Sequence, residues 1–292
     1  MKIKIDAYAK INLHLDITGI RDDGYHNIQS VMHSISICDT VELECVDGED
    51  IIIECDTEGV PLDEKNIAHK AARLFFAKTD IKSGVIIKIK KNIPMAAGLA
   101  GGSADGAAVL LGLNRLFDEA LCEKELYLLG SALGADVPFC MSCGCCYTTG
   151  IGDKMVKVEP LSDNTVLVVA CGGEGVSTPE AYRMLDKKYN NFTDYELRNC
   201  QALMQSLADQ NCDFYKHIFN IFEEPISSVR PAVKLAKGIM FDNRAKAAMM
   251  SGSGPSVFGI FEDVENAENA VKALKAQGCF ASVASPVKKR IF

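Results

Sequence analysis

The amino-acid sequence predicts an α+β protein whose two halves differ in character, and three observations carry that reading. Strand-like alternation fills the opening stretch; a loop almost devoid of side chains then joins a strand to a helix; beyond Asp153 the pattern turns mainly helical before closing on strands.

Residues 1–5, 11–17, 34–46 and 51–55 alternate in polarity as half-buried strands do, and residues 66–78 read as a helix. The run Val85-Ile86-Ile87-Lys88-Ile89-Lys90 is a further strand, ended by Pro94, which lacks a ladder donor. The loop follows as Pro94-Met95-Ala96-Ala97-Gly98-Leu99-Ala100-Gly101-Gly102-Ser103-Ala104-Asp105. Ser103 is expected to cap the next helix, whose apolar Ala104, Ala107, Ala108 and Leu111 recur at i, i+3, i+4, i+7. A helix over 123–133 puts Leu126, Leu129 and Leu133 on one face, and Gly134 stops it. In the second half, 165–170 reads as a strand and 179–188, 195–208, 214–222 and 227–237 as helical. Strands at 247–250 and 257–261 flank the turn Ser251-Gly252-Ser253-Gly254-Pro255-Ser256; a helix over 264–277 and a strand over 279–285 close the chain. No repeat or low-complexity linker intervenes, so domains at 1–153 and 154–292 should share a substantial interface.

Composition narrows the function. The net charge of −8 argues against nucleic acid or an anionic membrane as partner, so a bound phosphate must be held by local geometry. The alternating N-terminus is not a signal peptide, and no apolar run approaches the ~20 residues that span a bilayer, so a cytoplasmic protein is expected. Of twelve cysteines, Cys140, Cys143, Cys145 and Cys146 crowd into the stretch 137–147. Strand alternation there would point them to opposite faces, so they are read as small buried hydrophobes in a reducing compartment. His14, His26, His33, His69 and His217 show no metal-ligand spacing, and no protein metal site is predicted.

A strand that delivers a glycine loop onto a helix N-terminus presents unpaired N–H groups and a positive dipole end to an anion. A nucleotide triphosphate suits that arrangement. The spacing is neither the P-loop nor the dinucleotide fingerprint, and on the loop alone tight packing of small residues explains it equally well.

Four other segments bear on the choice: Ala7-Tyr8-Ala9-Lys10-Ile11-Asn12-Leu13, then Arg21-Asp22-Asp23-Gly24-Tyr25-His26-Asn27-Ile28, then Leu133-Gly134-Ala135-Asp136-Val137-Pro138-Phe139, and Ser251 to Ser256. Together with the loop, in this order, they resemble the GHMP-superfamily kinases. The pairing of Lys10-Ile11-Asn12 with Gly24-Tyr25-His26 is similar to members acting on a cytidine-diphosphate-linked methylerythritol in non-mevalonate isoprenoid precursor biosynthesis. The resemblance implies the two-domain GHMP kinase fold, with a ribosomal-protein-like first domain and a ferredoxin-like second. It implies ATP, with Mg²⁺, on residues 94–104, and phosphorylation of the substrate's 2-hydroxyl in the cleft between domains.

Phosphoryl transfer to an alcohol needs held phosphates, neutralised charge and an oriented acceptor hydroxyl. The resemblance gives Asp136 the role of base, and Lys10 could pair with it and with the γ-phosphate. It gives Tyr25 to cytosine stacking and His26 to the base's edge, with Tyr182, in Thr178-Pro179-Glu180-Ala181-Tyr182, covering the other face. Asn12 would order the hydroxyl or the base. Ala96 and Ala100 stand where glycine is common in relatives, which leaves them less free at positive φ. Gly106 falls within the following helix, at up to ~1 kcal/mol against alanine. A sibling kinase for mevalonate, homoserine or a sugar, or a silent nucleotide-binding relative, are the alternatives.

Overall fold

Residues 1–5 and 11–17 belong to one unbroken strand. In the computed structural model, which describes residues 1–192 and 195–290, β1 spans Lys2–Ile20 and pairs antiparallel with β2, His26–Val46. The register slips at three points, between Tyr8 and Lys10, between Asn12 and His14, and between Ile17 and Gly19; the first lies between the two stretches. Such bulges re-aim side chains, and Lys10 and Asn12 lie between the first two.

Strands β3 (Ile51–Cys55) and β4 (Gly84–Lys90) run parallel, joined by the crossover helix α1, Ile67–Thr79. Asn66 caps α1 by accepting from the Ala68 N–H at 2.9 Å. Helices α2 (Gly101–Leu116), α3 (Glu123–Leu133) and α4 (Val137–Ser142) follow. Then β5 (Cys145–Thr149) pairs with β2, and β6 (Lys154–Lys157) with β5, so the first sheet continues past residue 153.

Residues 137–147 do not form the strand their alternation predicts. Pro138 suits the first turn of α4, and Gly144, at φ 90°, redirects the chain into β5. Cys140, Cys143, Cys145 and Cys146 are all buried, and burial raises the thiols of Cys140, Cys145 and Cys146.

The second sheet contains β7 (Val166–Cys171), β9 (Ala247–Met250), β10 (Val257–Phe261) and β11 (Phe280–Ala284). Its strands lie in the order β11-β7-β10-β9, antiparallel throughout, which is the 4-1-3-2 order of a ferredoxin-like sheet. The helices of this half are α5 (Thr178–Lys188), α6 (Gln201–Ala208), α7 (Glu223–Val229), α8 (Pro231–Asp242) and α9 (Val264–Ala276).

Three expected helices change here. Residues 195–200 are not helical, because their backbone is engaged by the first sheet: Asp16 accepts from the Arg198 N–H (2.8 Å) and Gln29 donates to the Arg198 carbonyl (2.8 Å). Residues 214–222 end instead in β8, Phe219–Asn220, which adds to β1 in parallel. Residues 227–237 split at Arg230, since Pro231 lacks the N–H that would continue α7 and opens α8. Residues 291 and 292, the end of the expected second domain, lie outside the described residues.

The second sheet joins two apolar cores. Leu167, Val169, Phe258 and Ile260 face the core of the first half, while Val168, Ala170, Val257 and Phe261 pack on the helices of the second. Among the described residues, no helix is long and apolar enough to cross a membrane.

Candidate active site

The glycine loop is fastened where it begins. One oxygen of Asp39 accepts from the N–H groups of Asn92 (2.6 Å) and Ile93 (2.8 Å). The chain then turns through three residues at positive φ: Ala96 at 50°, Gly98 at 77° and Ala100 at 59°. The two alanines hold a left-handed conformation that costs about 1 kcal/mol each. Ala100 is itself the N-cap of α2, so the helix starts at Gly101 and Ser103 sits inside its first turn rather than capping it. The left-handed cap completes the turn earlier and leaves Ser103 on the cavity wall.

What holds this strained loop is the glycine motif far along the chain. Ser251 donates its hydroxyl to the Gly98 carbonyl (3.0 Å), and the Ser256 N–H donates to the Ala97 carbonyl (3.2 Å). A Cβ on Gly98 would lie 2.2 Å from the Ser251 carbonyl oxygen, so only glycine allows this approach. Asn220 secures the motif from below, donating to the carbonyls of Met250 (2.7 Å) and Gly252 (2.9 Å). Gly106, costly by helix propensity, has a packing reason: a Cβ there would meet Ile67 at 2.6 Å.

A cavity of about 660 Å³ opens over the loop. Pro94, Met95, Ala96, Ala97, Gly98, Ala100, Gly101, Gly102 and Ser103 form one wall, Lys10 and Asn12 another, and Asp136, Thr178 and Tyr182 a third. Leu99 and Ala104 do not line it; their side chains are buried in the core, as alternate positions of a packed loop must be.

Lys10 is buried, its side chain 6% exposed, while that of Asp136 is 38% exposed. The Lys10 ammonium lies 3.9 Å from the Asp136 carboxylate and donates to Asn12 Oδ1 at 2.6 Å. Asn12 is fixed in turn: its Nδ2 donates to the Ser30 hydroxyl (2.8 Å), which donates to the His14 carbonyl (2.6 Å). Asp136 is the N-cap of α4, yet its side chain takes none of the helix's N–H groups. The arrangement therefore presents an uncommitted carboxylate beside a shielded cation.

Tyr25 and His26 part company. The Asp23 carboxylate takes the Arg21 guanidinium (2.7 Å) and the Tyr25 N–H (3.1 Å), Gly24 turns at φ 82°, and Tyr25 is left 63% exposed. His26 points inward, its Nε2 2.6 Å from Asp186 and its ring centroid 4.6 Å from that of Tyr182. Neither lines the cavity, whereas Thr178 and Tyr182 do. Burial, with the charges of Asp136 and Asp186, pushes the Tyr182 hydroxyl up to about 12. Asp186 was not foreseen, although it lies one turn beyond Tyr182 on the same face of α5.

Lys91 and Asp105 also line the cavity unforeseen, as do Val60, Pro61, Lys65 and Asn66. The Lys91 ammonium lies between Asp39, in a close ion pair, and Asp105 at 2.7 Å. Asp105 Oδ1 is buried without a partner. Burial, reinforced by Asp39 and opposed by Lys91, pushes this carboxyl up to about 7.

Residues 66–144 match the family described as GHMP kinases N terminal domain, and residues 196–278 the one described as GHMP kinases C terminal. The chain is 40% identical over 261 residues to the 4-diphosphocytidyl-2-C-methyl-D-erythritol kinase of Caldicellulosiruptor bescii, covering 89% of each. It is 41% identical over 263 residues to the enzyme of that name from Clostridium botulinum (strain Eklund 17B / Type B), covering 90% of this chain and 92% of the other. A crystal structure of 4-(cytidine 5'-diphospho)-2C-methyl-D-erythritol kinase superposes with a TM-score of 0.78 at 30% identity, over 97% of this chain and 99% of that one. Homoserine kinase from Cytophaga hutchinsonii, at 21% identity and a TM-score of 0.75, shares the fold. With both family models matched in order along the chain, and relatives about 40% identical over nine-tenths of it, the chain belongs to the GHMP kinase family.

Proposed function

We propose that this chain transfers the γ-phosphoryl group of ATP to the 2-hydroxyl of 4-diphosphocytidyl-2-C-methyl-D-erythritol, the compound its relatives are named for, in non-mevalonate isoprenoid precursor biosynthesis. One observation carries the reading: an uncommitted carboxylate, a buried ammonium and a glycine loop at a helix N-terminus share one cavity. Residues 1–153 hold ATP in this reading, and residues 154–292 supply the opposite wall. The free thiols of eleven cysteines among the described residues suit a reducing cytoplasm.

The N–H groups of residues 97–103 hold the phosphates against the dipole of α2. Asp136 takes the proton of the acceptor hydroxyl, a role worth ~10²–10⁴-fold in rate. Lys10 faces the charge that develops on the transferring group, held in place by Asn12. Tyr25, free in its turn, offers a ring face to the cytosine; Thr178 and Tyr182 line the way inward, with His26 packed behind Tyr182.

Mg²⁺ would arrive on the nucleotide, with the Ser103 hydroxyl on the loop wall available to it. When bound it would neutralise phosphate charge.

A coupled ADP-release assay against the cytidine compound, mevalonate, homoserine and galactose tests the proposal. Turnover confined to the first is expected; turnover of another alcohol, or ATP binding with no turnover, would refute it.

A further inference from the structure

The cluster Asp39–Lys91–Asp105 sets two carboxylates against one ammonium, with Lys91 and Asp105 in the wall of a cavity suited to a polyanion and Asp39 behind them. Asp39 is fully committed, one oxygen to the N–H groups of Asn92 and Ile93 and the other to Lys91. Asp105 gives one oxygen to Lys91 and leaves the other buried without a partner. The Lys91 ammonium lies against the first residue of α2, 3.4 Å from where a Cβ on Gly101 would stand. A cation thus rests at the helix end that faces phosphate, with its charge already taken up by carboxylates.

We propose that Lys91 is a phosphate-binding residue of this site, and that Asp105 holds it back until a nucleoside triphosphate binds, then releases it by taking up one proton from solvent. The inference rests on the ATP-binding reading above. A buried cluster with one surplus negative charge opposes an incoming triphosphate. The least disruptive relief is a proton on the oxygen that has no other partner. Neutral Asp105 then leaves Lys91 with one carboxylate in place of two, and a flexible lysine stem lets the ammonium turn to the phosphate. Because burial brings Asp105 close to neutrality, the exchange lies within ordinary pH.

Lys91 and Asp39 are the charged groups that act on Asp105. Of the other elements packed on α2, β1 brings Lys10 and α4 begins at Asp136, both elsewhere on the cavity wall. α1 meets it through Ile67, and Lys78 of α1 pairs with Glu125 of α3 at 3.2 Å.

The test is calorimetric titration of the full chain with ATP at about pH 8, where ATP itself is ionised, in two buffers of different ionisation enthalpy. Wild type should take up close to one proton per ATP, and Asp105→Asn none. The wild-type Kd for ATP should rise about tenfold per pH unit above about pH 7.5, and that of Asp105→Asn should stay flat. Lys91→Met should weaken ATP at every pH. ATP binding without proton uptake in wild type, a count that needs no variant, overturns the inference, as does equal uptake by Asp105→Asn. No ATP binding at all would overturn the kinase reading beneath it.

Discussion

Lys10 and Lys91 stand on the same cavity and are buried to a similar degree, but they are held in opposite ways. A neutral amide holds the Lys10 ammonium, with the nearest carboxylate at 3.9 Å and partly in solvent. Two buried carboxylates grip that of Lys91. A buried cation next to an amide keeps its field for whatever enters the cavity; one between carboxylates acts on the structure first, fastening β2, the loop entrance and α2 together. The difference separates a charge that acts on the reaction from one that must first be released.

The strongest test of the contrast removes the reactive pair. Asp136→Asn or Lys10→Met should lower kcat by ~10²–10⁴-fold with an unchanged circular dichroism spectrum, and near-normal turnover in either would break the contrast. Converting one arrangement into the other comes next: Asn12→Asp gives Lys10 a carboxylate partner and should cut kcat by about 10-fold or more, with little change in KM for ATP. An unaffected kcat would mean that a neutral partner is not what keeps Lys10 available. Asp39→Asn weakens the grip on the loop entrance and should lower stability by about 1–3 kcal/mol in urea unfolding. Turnover collapsing without that loss would move Asp39 from scaffold to chemistry.

The smallest effect is in pH. His33 is buried; its Nε2 accepts from the Leu161 N–H (3.0 Å), its Nδ1–H donates to the Ser34 carbonyl (2.7 Å), and burial lowers it to about 4. Its folded value lies below its unfolded one, so it favours the fold above about pH 6.5 and that support is lost as pH falls towards 4. Asp105 runs the other way. Its folded value is raised, so stability falls as pH rises from about 4 to about 7. Removing that opposition with Asp105→Asn should make the melting temperature climb more steeply with pH over this window. A slope equal to wild type would show that the fold does not raise Asp105.

The site was legible in the sequence where local chemistry dictates geometry. Proline ends a strand, small residues let backbone approach an anion, and the turn at Asp23-Gly24 is written in its residues. Lys10 and Asn12 were found by their motif, but their placement depends on bulges, which break alternation and so read as a gap between strands. Phe219 and Asn220 carry no strand signal of their own; their pairing is decided by β1, two hundred residues earlier in the chain. Lys91 drew no reading and Asp105 only closed the glycine stretch, because a buried ion pair leaves no periodic trace. Ser251 to Ser256 read as a turn between strands, which it is; that the turn is also the bed of the glycine loop depends on an approach between Gly98 and Ser251 that only the assembled fold creates.

That approach sets an order for synthesis. The hydroxyl that steadies Gly98 belongs to a residue 153 positions later, so while a ribosome is still making the second half, the emerging glycine loop has its first-half contacts, to Asp39 and Lys10, but not the bed that closes over Gly98. The glycine loop therefore takes its final support only once residues 251–256 have been made and docked.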